Sequence, residues 1–244
     1  AASDVHVIEP DPAQAKRLAE MGVNVGADTS ALPQHAAIVI FAVKPQVMQD
    51  VCRALPRERK PGQLIISIAA GISCDSLESW LGAGTAIVRC MPNTPSLRGQ
   101  GVSGLYATPA VSETQREQAE SILNAVGISV WLDEEKLIDA VTAVSGSGPA
   151  YFFYLMEAMI DAGEKLGLPR DTAERLALFT GLGAADMAVH SDVDVAELRR
   201  RVCSPNGTTE RAIETFRSQG LPKMVDDAMQ ACADRAAEMS RELA

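Results

Sequence analysis

The hydrophobic pattern of this chain changes character once, about halfway along. In the first half, short apolar runs alternate with amphipathic stretches. Val5-His6-Val7-Ile8 is β-rich, and Ala13 to Met21 reads as a helix. Residues 36–43 form a continuous apolar run, as expected of a strand covered on both faces. Lys44-Pro45 ends it, and Val47, Val51 and Leu55 recur at helical spacing. Leu64 to Gly71 is a second buried strand, Cys74 to Leu81 a short helix, and Thr85 to Cys90 a third strand leading into Met91-Pro92-Asn93-Thr94-Pro95. Strands at Val102–Ala107 and Ile128–Leu132 flank a helix over Ser112–Val126. Strand and helix repeated at this length predict a parallel sheet with right-handed crossovers. Such sheets bind ligands beyond the carboxyl ends of their strands.

From Glu134 onward the pattern is helical throughout. Leu137, Val141 and Val144 lead into Ser145-Gly146-Ser147-Gly148-Pro149, which must interrupt or kink the helix. A long apolar helix follows to about Leu166, another runs from Pro169 to His190, and a short one covers Val195–Val202. The last helix carries Met224, Val225, Ala228, Met229, Cys232, Ala236 and Met239 on one stripe. The expected division is an α/β domain over residues 1–133 and an all-helical domain over 134–244. The stretch 137–166 is apolar on more than one face, and helices with little polar surface are buried. About 110 residues of helix have little interior of their own. An intertwined dimer is favoured over coverage by the first domain.

Composition narrows the partners. The 244 residues carry a net charge of −10, which argues against nucleic acid or an anionic membrane surface. The basic cluster Arg199-Arg200-Arg201 reads as a solvated helix face, with a small anion as the alternative. Five cysteines, none in a C-x-x-C pair, suit a reducing compartment, and the expected location is cytoplasmic. Three scattered histidines lack zinc spacing, and no metal is expected. Cys203 reads as structural, because no activating base accompanies it. No apolar run is long enough to span a membrane and no signal peptide is visible, so the sequon Asn206-Gly207-Thr208 reads as incidental.

Candidate chemistry concentrates at Ser204-Pro205-Asn206-Gly207-Thr208-Thr209-Glu210. Pro205, Asn206 and Gly207 are turn formers. With Gly207 as N-cap, Glu210 falls at N3, where a carboxylate favours the helix start. The free amides of such a first turn suit a carboxylate or phosphate, and two threonines add directional donors. Spacing alone equally allows an ordinary capped helix. By contrast, the G-x-G-x-x-G match at residues 99–104 does not open a helix and is read as a glycine-rich connection. The sheet therefore lacks the glycine turn of a nucleotide-binding domain. The chain opens on a strand that would ordinarily come second, which implies about thirty further residues upstream.

Four segments together carry a family resemblance. They are residues 41–46 (Phe-Ala-Val-Lys-Pro-Gln), 89–95 (Arg-Cys-Met-Pro-Asn-Thr-Pro), 144–152 (Val-Ser-Gly-Ser-Gly-Pro-Ala-Tyr-Phe) and 204–209 (Ser-Pro-Asn-Gly-Thr-Thr). In this order and spacing the chain resembles the Δ1-pyrroline-5-carboxylate reductase family over essentially its whole length. The resemblance implies a Rossmann-like domain without its first strand and helix, followed by a dimerisation domain. It also implies NADPH- or NADH-dependent reduction of a cyclic imine to proline, by a homodimer or an assembly of dimers. By similarity, Thr209 hydrogen-bonds the ring nitrogen, and amides around Ser204, Gly207 and Thr208 hold the substrate carboxylate. Ser147, with Ser145 and Gly146, lies near the substrate, or else simply allows close helix packing. Ala42, Val43 and Lys44 look like cofactor contacts, and Asn93 and Thr94 nicotinamide-side contacts. Asp192 matches an acidic position near the family's active site.

Glu9 follows the strand Val5–Ile8, where an acid hydrogen-bonds a ribose 2′-hydroxyl and disfavours a 2′-phosphate. The family commonly uses NADPH, so the two arguments conflict; Glu9 facing solvent is the third reading. Two other functions stay open on the sequence. A hydroxy-acid dehydrogenase of similar plan would want a lysine or histidine acid, and Lys136, Lys165, Lys223 and His190 sit in no site pattern. A non-catalytic dimerising scaffold is the other.

Overall fold

The run Leu64-Ile65-Ile66-Ser67 forms a strand with no exposed residue, and the first half of the fold is built around it. The structure is a computed structural model and describes residues 1–33, 35–56 and 61–243. Five strands make the main sheet: β3 (Ile38–Phe41), β4 (Leu64–Ser67), β5 (Ala86–Met91), β6 (Gly101–Ala107) and β7 (Gly127–Trp131), hydrogen-bonded in that order. Before them, β1 (His6–Ile8) and β2 (Asn24–Gly26) form a separate parallel pair around α1 (Pro12–Glu20). Strand β2 lies in a stretch from which the sequence pattern predicts no strand; three residues are too few to show a period.

Alternation within the strands assigns the two faces. Ile65 and Ile87 pack with Met48 and Cys52 of α2 (Met48–Ala54) and Leu77 of α3 (Cys74–Leu81). Leu64, Ile66 and Val88 point the other way, onto Ala119 and Leu123 of α4 (Glu113–Asn124). Burying one such aliphatic side chain contributes about 1.5–3 kcal/mol.

The parallel prediction holds for β3, β4 and β5 and fails at one pair: β6 runs antiparallel to β5. The cause is the connection. Only residues 92–100 lie between Met91 and Gly101, with room for a short 3-10 helix over Thr94–Arg98. A parallel return needs a crossover of about a dozen residues or more. The glycine-rich stretch read as a connection does enter a strand, β6, and not a helix.

Beyond β7, α5 (Leu137–Val141) passes into one π-helical turn, Thr142–Gly146, and then into α6 (Gly148–Lys165). This is the interruption expected at Ser145–Pro149. Two hydroxyls bond back onto it, from Thr142 Oγ1 to the Ile138 carbonyl (2.8 Å) and from Ser145 Oγ to the Val141 carbonyl (3.1 Å). Such bonds compete with the helical ladder and bend it. The remaining helices are α7 (Arg170–Val189), α8 (Val195–Val202), α9 (Thr208–Ser218) and α10 (Leu221–Glu242).

Two compact units result: residues 1–146 together with the chain from Ala233 on, and residues 147–232. Their surfaces differ. The first holds the sheet core. In the second, the described apolar side chains that are fully buried are those of Ala173 and Ala177, while Phe152, Phe153 and Phe179 are 63, 65 and 69% exposed.

One charged knot ties the first unit. Arg89 on β5 is 5% exposed and donates from Nη1 to Glu135 Oε1 at 2.7 Å. The same oxygen accepts the N–H of Cys74 (2.8 Å), in the first turn of α3, where the helix dipole also favours a carboxylate. Burial pushes the Cys74 thiol well above the usual thiol range and the Cys90 thiol to about 12, so both stay protonated at neutral pH. Removing one partner of such a pair strands the other's charge. Arg89→Ala is expected to cost about 2–4 kcal/mol in urea unfolding at fixed protein concentration. A loss below about 1 kcal/mol, the range of surface pairs, would contradict its fastening role.

Candidate active site

Strands β3, β4 and β5 point the same way, with Phe41, Ser67 and Arg89 in register, so their carboxyl ends share one edge of the sheet. Ala42, Val43 and Lys44 leave that edge from β3. Ala42 and Lys44 are exposed, and Pro45 starts a 3-10 turn that turns the chain away. Asn93 and Thr94 leave the same edge from β5; Thr94 is exposed and Asn93 half-buried. Asn93 is held at both ends of its amide. Its Oδ1 accepts the Val102 N–H (2.9 Å) and its Nδ2 donates to the Ser145 carbonyl (3.0 Å). Glu9 follows β1, and its Oε1 accepts the N–H of Asp11, whose own carboxylate caps α1.

In the second unit, Ser204 to Gly207 form a tight turn closed by Gly207 N–H on the Ser204 carbonyl (2.9 Å). Asn206 supplies a left-handed φ of +57°, which Asn tolerates better than other side chains. Gly207 is the N-cap of α9, and a Cβ there would lie 2.4 Å from Ser204 Oγ and 2.9 Å from its carbonyl oxygen. Only hydrogen fits. The N-cap provides no side-chain acceptor, and helix geometry leaves the first N–H groups without internal partners. Gly207's own amide is spent on the turn and the first helical bond is that of Arg211 N–H to the Gly207 carbonyl, so the amides left over are those of Thr208, Thr209 and Glu210. Glu210, at N3, turns back to accept the Asn206 N–H at 2.7 Å and leaves the helix start open.

Ser147 occupies the N-cap position of α6 without a side-chain capping bond, and its hydroxyl lies 3.2 Å from the Cys232 sulfur, with Tyr151 beside both. Burial and the neighbouring Cys232 push the Tyr151 hydroxyl pKa up. Ser147 and Cys232 lie 85 residues apart and share no motif, so this cluster was not legible in the sequence. Among the described residues no hydrogen bond joins Ser147 to the 204–209 turn. Asp192 is exposed between α7 and α8. Of the three arginines, Arg200 and Arg201 are tied to Glu197 at 2.6–2.8 Å, and these bonds hold the Glu197 carboxyl down at about 2. No described helix is long and apolar enough to cross a membrane.

A mostly parallel sheet with open loops at one edge, ahead of a helical unit with an uncapped anion-ready turn, is the plan of a two-domain nicotinamide-dependent oxidoreductase. Comparison with known proteins agrees. Residues 135–239 match the family described as pyrroline-5-carboxylate reductase dimerisation, and residues 1–71 match NADP oxidoreductase, coenzyme F420-dependent. A pyrroline-5-carboxylate reductase of Pseudomonas aeruginosa is 55% identical over 99% of this chain and 89% of its own length. The solved structure of a pyrroline-5-carboxylate reductase from Coxiella burnetii superposes with a TM-score of 0.90 at 39% identity, over 98% of this chain and 89% of that one. The Plasmodium falciparum pyrroline carboxylate reductase, solved with NADP bound, gives 0.84 at 30% identity, over 98% and 88%. The chain is an NAD(P)-dependent oxidoreductase. It belongs to the pyrroline-5-carboxylate reductase family.

The dimerisation match falls on the helices with exposed aromatic rings, and self-association covers such surface. At the turn, Gly207→Ala is expected to displace Ser204 and lower turnover about tenfold or more with helix content unchanged in circular dichroism. Wild-type turnover in that variant would mean that the close approach at Gly207 has no bearing on the site.

Proposed function

We propose that this chain reduces Δ1-pyrroline-5-carboxylate to L-proline with NADPH or NADH, the last step of proline biosynthesis, as a homodimer or an assembly of dimers in the cytoplasm. The observation that carries the reading is the uncapped start of α9, in a chain of this family. Its size suits one carboxylate, and its sequence brings a hydroxyl beside it.

The donors at the sheet edge fit a nicotinamide dinucleotide. Ala42 is exposed and Val43 half-buried at that edge, Lys44 brings a cation for phosphate, and Thr94 brings a hydroxyl. Glu9 has a carboxylate oxygen besides the one bonded to Asp11, which suits a ribose hydroxyl. When bound, the reduced coenzyme supplies hydride to the imine carbon.

The chain's own residues bind and orient. The amides of Thr208 and Thr209, assisted by the turn of Ser204 and Gly207, hold the carboxylate, and the dipole of α9 favours its charge. The Thr209 hydroxyl then meets the ring nitrogen. A protonated iminium is the better electrophile, so a hydroxyl that can donate or relay at nitrogen is of more use than a strong base. Ser147 supplies a further hydroxyl on the substrate side, and Asp192 an acidic group near the site. Five free cysteines suit a reducing compartment.

The test is an assay of pyrroline-5-carboxylate with NADH and NADPH in parallel, on wild type and Thr209→Ala. Wild type is expected to oxidise coenzyme only when the imine is present. Thr209→Ala is expected to lose tenfold or more in turnover, about 1.4 kcal/mol in the barrier, while eluting as the same oligomer. Equal kinetics would remove Thr209 from its role, and a wild type inert toward the imine with both coenzymes would end the reading.

A further inference from the structure

The helix break at Thr142–Gly146 contains a carbonyl that the helix itself cannot satisfy. In a continuing α-helix the Ser145 C=O would accept the N–H of residue 149. Residue 149 is proline and has none. The N–H of Ala150, next in line, is used by the Ser147 carbonyl at 2.9 Å. The partner instead comes from a distant part of the sequence. Asn93 Nδ2 donates to the Ser145 oxygen at 3.0 Å, across 52 residues.

The other end of the same amide is equally committed. Asn93 Oδ1 accepts the N–H of Val102, near the start of β6, at 2.9 Å. A planar, half-buried amide with its donor on one rigid element and its acceptor on another has one orientation. Steric contact closes the same joint. A Cβ on Gly146 would stand 2.6 Å from the terminal methyl of Met91, so the last residue of the π turn packs against the side chain of the last residue of β5. Pro92, Asn93 and Thr94 are thereby pinned at one side by β5, at another by β6, and over the Asn93 side chain by the helix break.

We propose that Asn93 is a positioning residue for the coenzyme-side loop: its side chain stands in for the N–H that Pro149 lacks, and through that bond fixes the backbone of residues 92–94 and the direction of Thr94. This rests on the reading of that loop as the nicotinamide side. It differs from a direct contact role for Asn93, because both ends of the amide are already engaged by protein. Pre-set loop geometry lowers the ordering cost of binding, so loosening the loop weakens coenzyme more than substrate.

The experiment titrates the full-length chain with NADPH, following the coenzyme's own fluorescence, and measures the imine KM at saturating coenzyme and the thermal midpoint. Wild type comes first: absence of NADPH binding there would strike the underlying reading and this inference with it, a result separate from those that follow. Asn93→Ala removes both bonds. Asn93→Asp keeps the acceptor for Val102 and removes the donor to Ser145. Both are expected to raise the NADPH Kd about tenfold, with the imine KM changed less than about threefold. A second substitution in the Ala background, Pro149→Ala, restores an N–H to the Ser145 carbonyl. It is expected to recover the thermal midpoint and leave the Kd high. Recovery of both would assign Asn93 to helix stability alone and overturn the proposal. So would an unchanged Kd in both single variants, or a parallel rise of Kd and KM, which marks general loosening. Should the Ala variant fail to fold, the Asp variant alone decides by the same criteria.

Discussion

A helix that begins without a cap holds its first N–H groups in reserve, and the chemistry proposed for this chain depends on those groups staying free. Three local choices keep them so. Gly207 has no side chain to bend onto the helix start, and the Ser204 oxygens occupy the space a Cβ would need. Asn206 takes the left-handed conformation that swings the chain into α9. Glu210, which at N3 would ordinarily reach back to the cap residue, bonds one residue further out, to Asn206. Helix-start amides plus the dipole make an anion site with no cationic side chain. The chain's net charge of −10 is no obstacle to that arrangement, since the attraction is confined to one turn.

The first unit solves a different problem, which is to present loops from a rigid edge. Rigidity comes from β4, buried on both faces, and from the Arg89–Glu135 pair that ties β5 to the start of α3. Arg89 also shows the cost of burying a cation: its Nε is buried with no hydrogen-bond partner among the described residues. The pair is better understood as a device for register than as a source of stability. The second unit buries little of its own apolar surface, and the family it matches is one named for dimerisation.

Much of this was legible in the sequence because it is local. The run at residues 36–43 marked a strand, β3, but not one covered on both faces: it ends the described five-stranded sheet, Ile40 is 44% exposed and only Phe41 of its four residues is buried. Cys74–Leu81 lies where the pattern put a helix, since Ser73 caps it and Gly82 ends it. The 204–210 turn was legible for the same reason: its dihedrals and its cap are set by seven adjacent residues. The polarity of β6 was not, because a strand's periodicity is the same in either direction and only the length of the preceding link decides. Long-range pairings left no trace either. Nothing near Asn93 announces Ser145, nor anything near Arg89 announces Glu135. The one indirect signal was Pro149, whose missing N–H implied an orphan carbonyl four residues earlier without saying what would fill it.

The proposed chemistry depends on where the substrate carboxylate goes. A crystal structure of the assembled protein with L-proline and oxidised coenzyme tests this most directly. The proline carboxylate is expected within about 2.7–3.2 Å of the amide nitrogens of Thr208 and Thr209, with the ring nitrogen at the Thr209 hydroxyl. Proline held through its carboxylate by arginine or lysine side chains elsewhere, with the α9 start left to water, would contradict it.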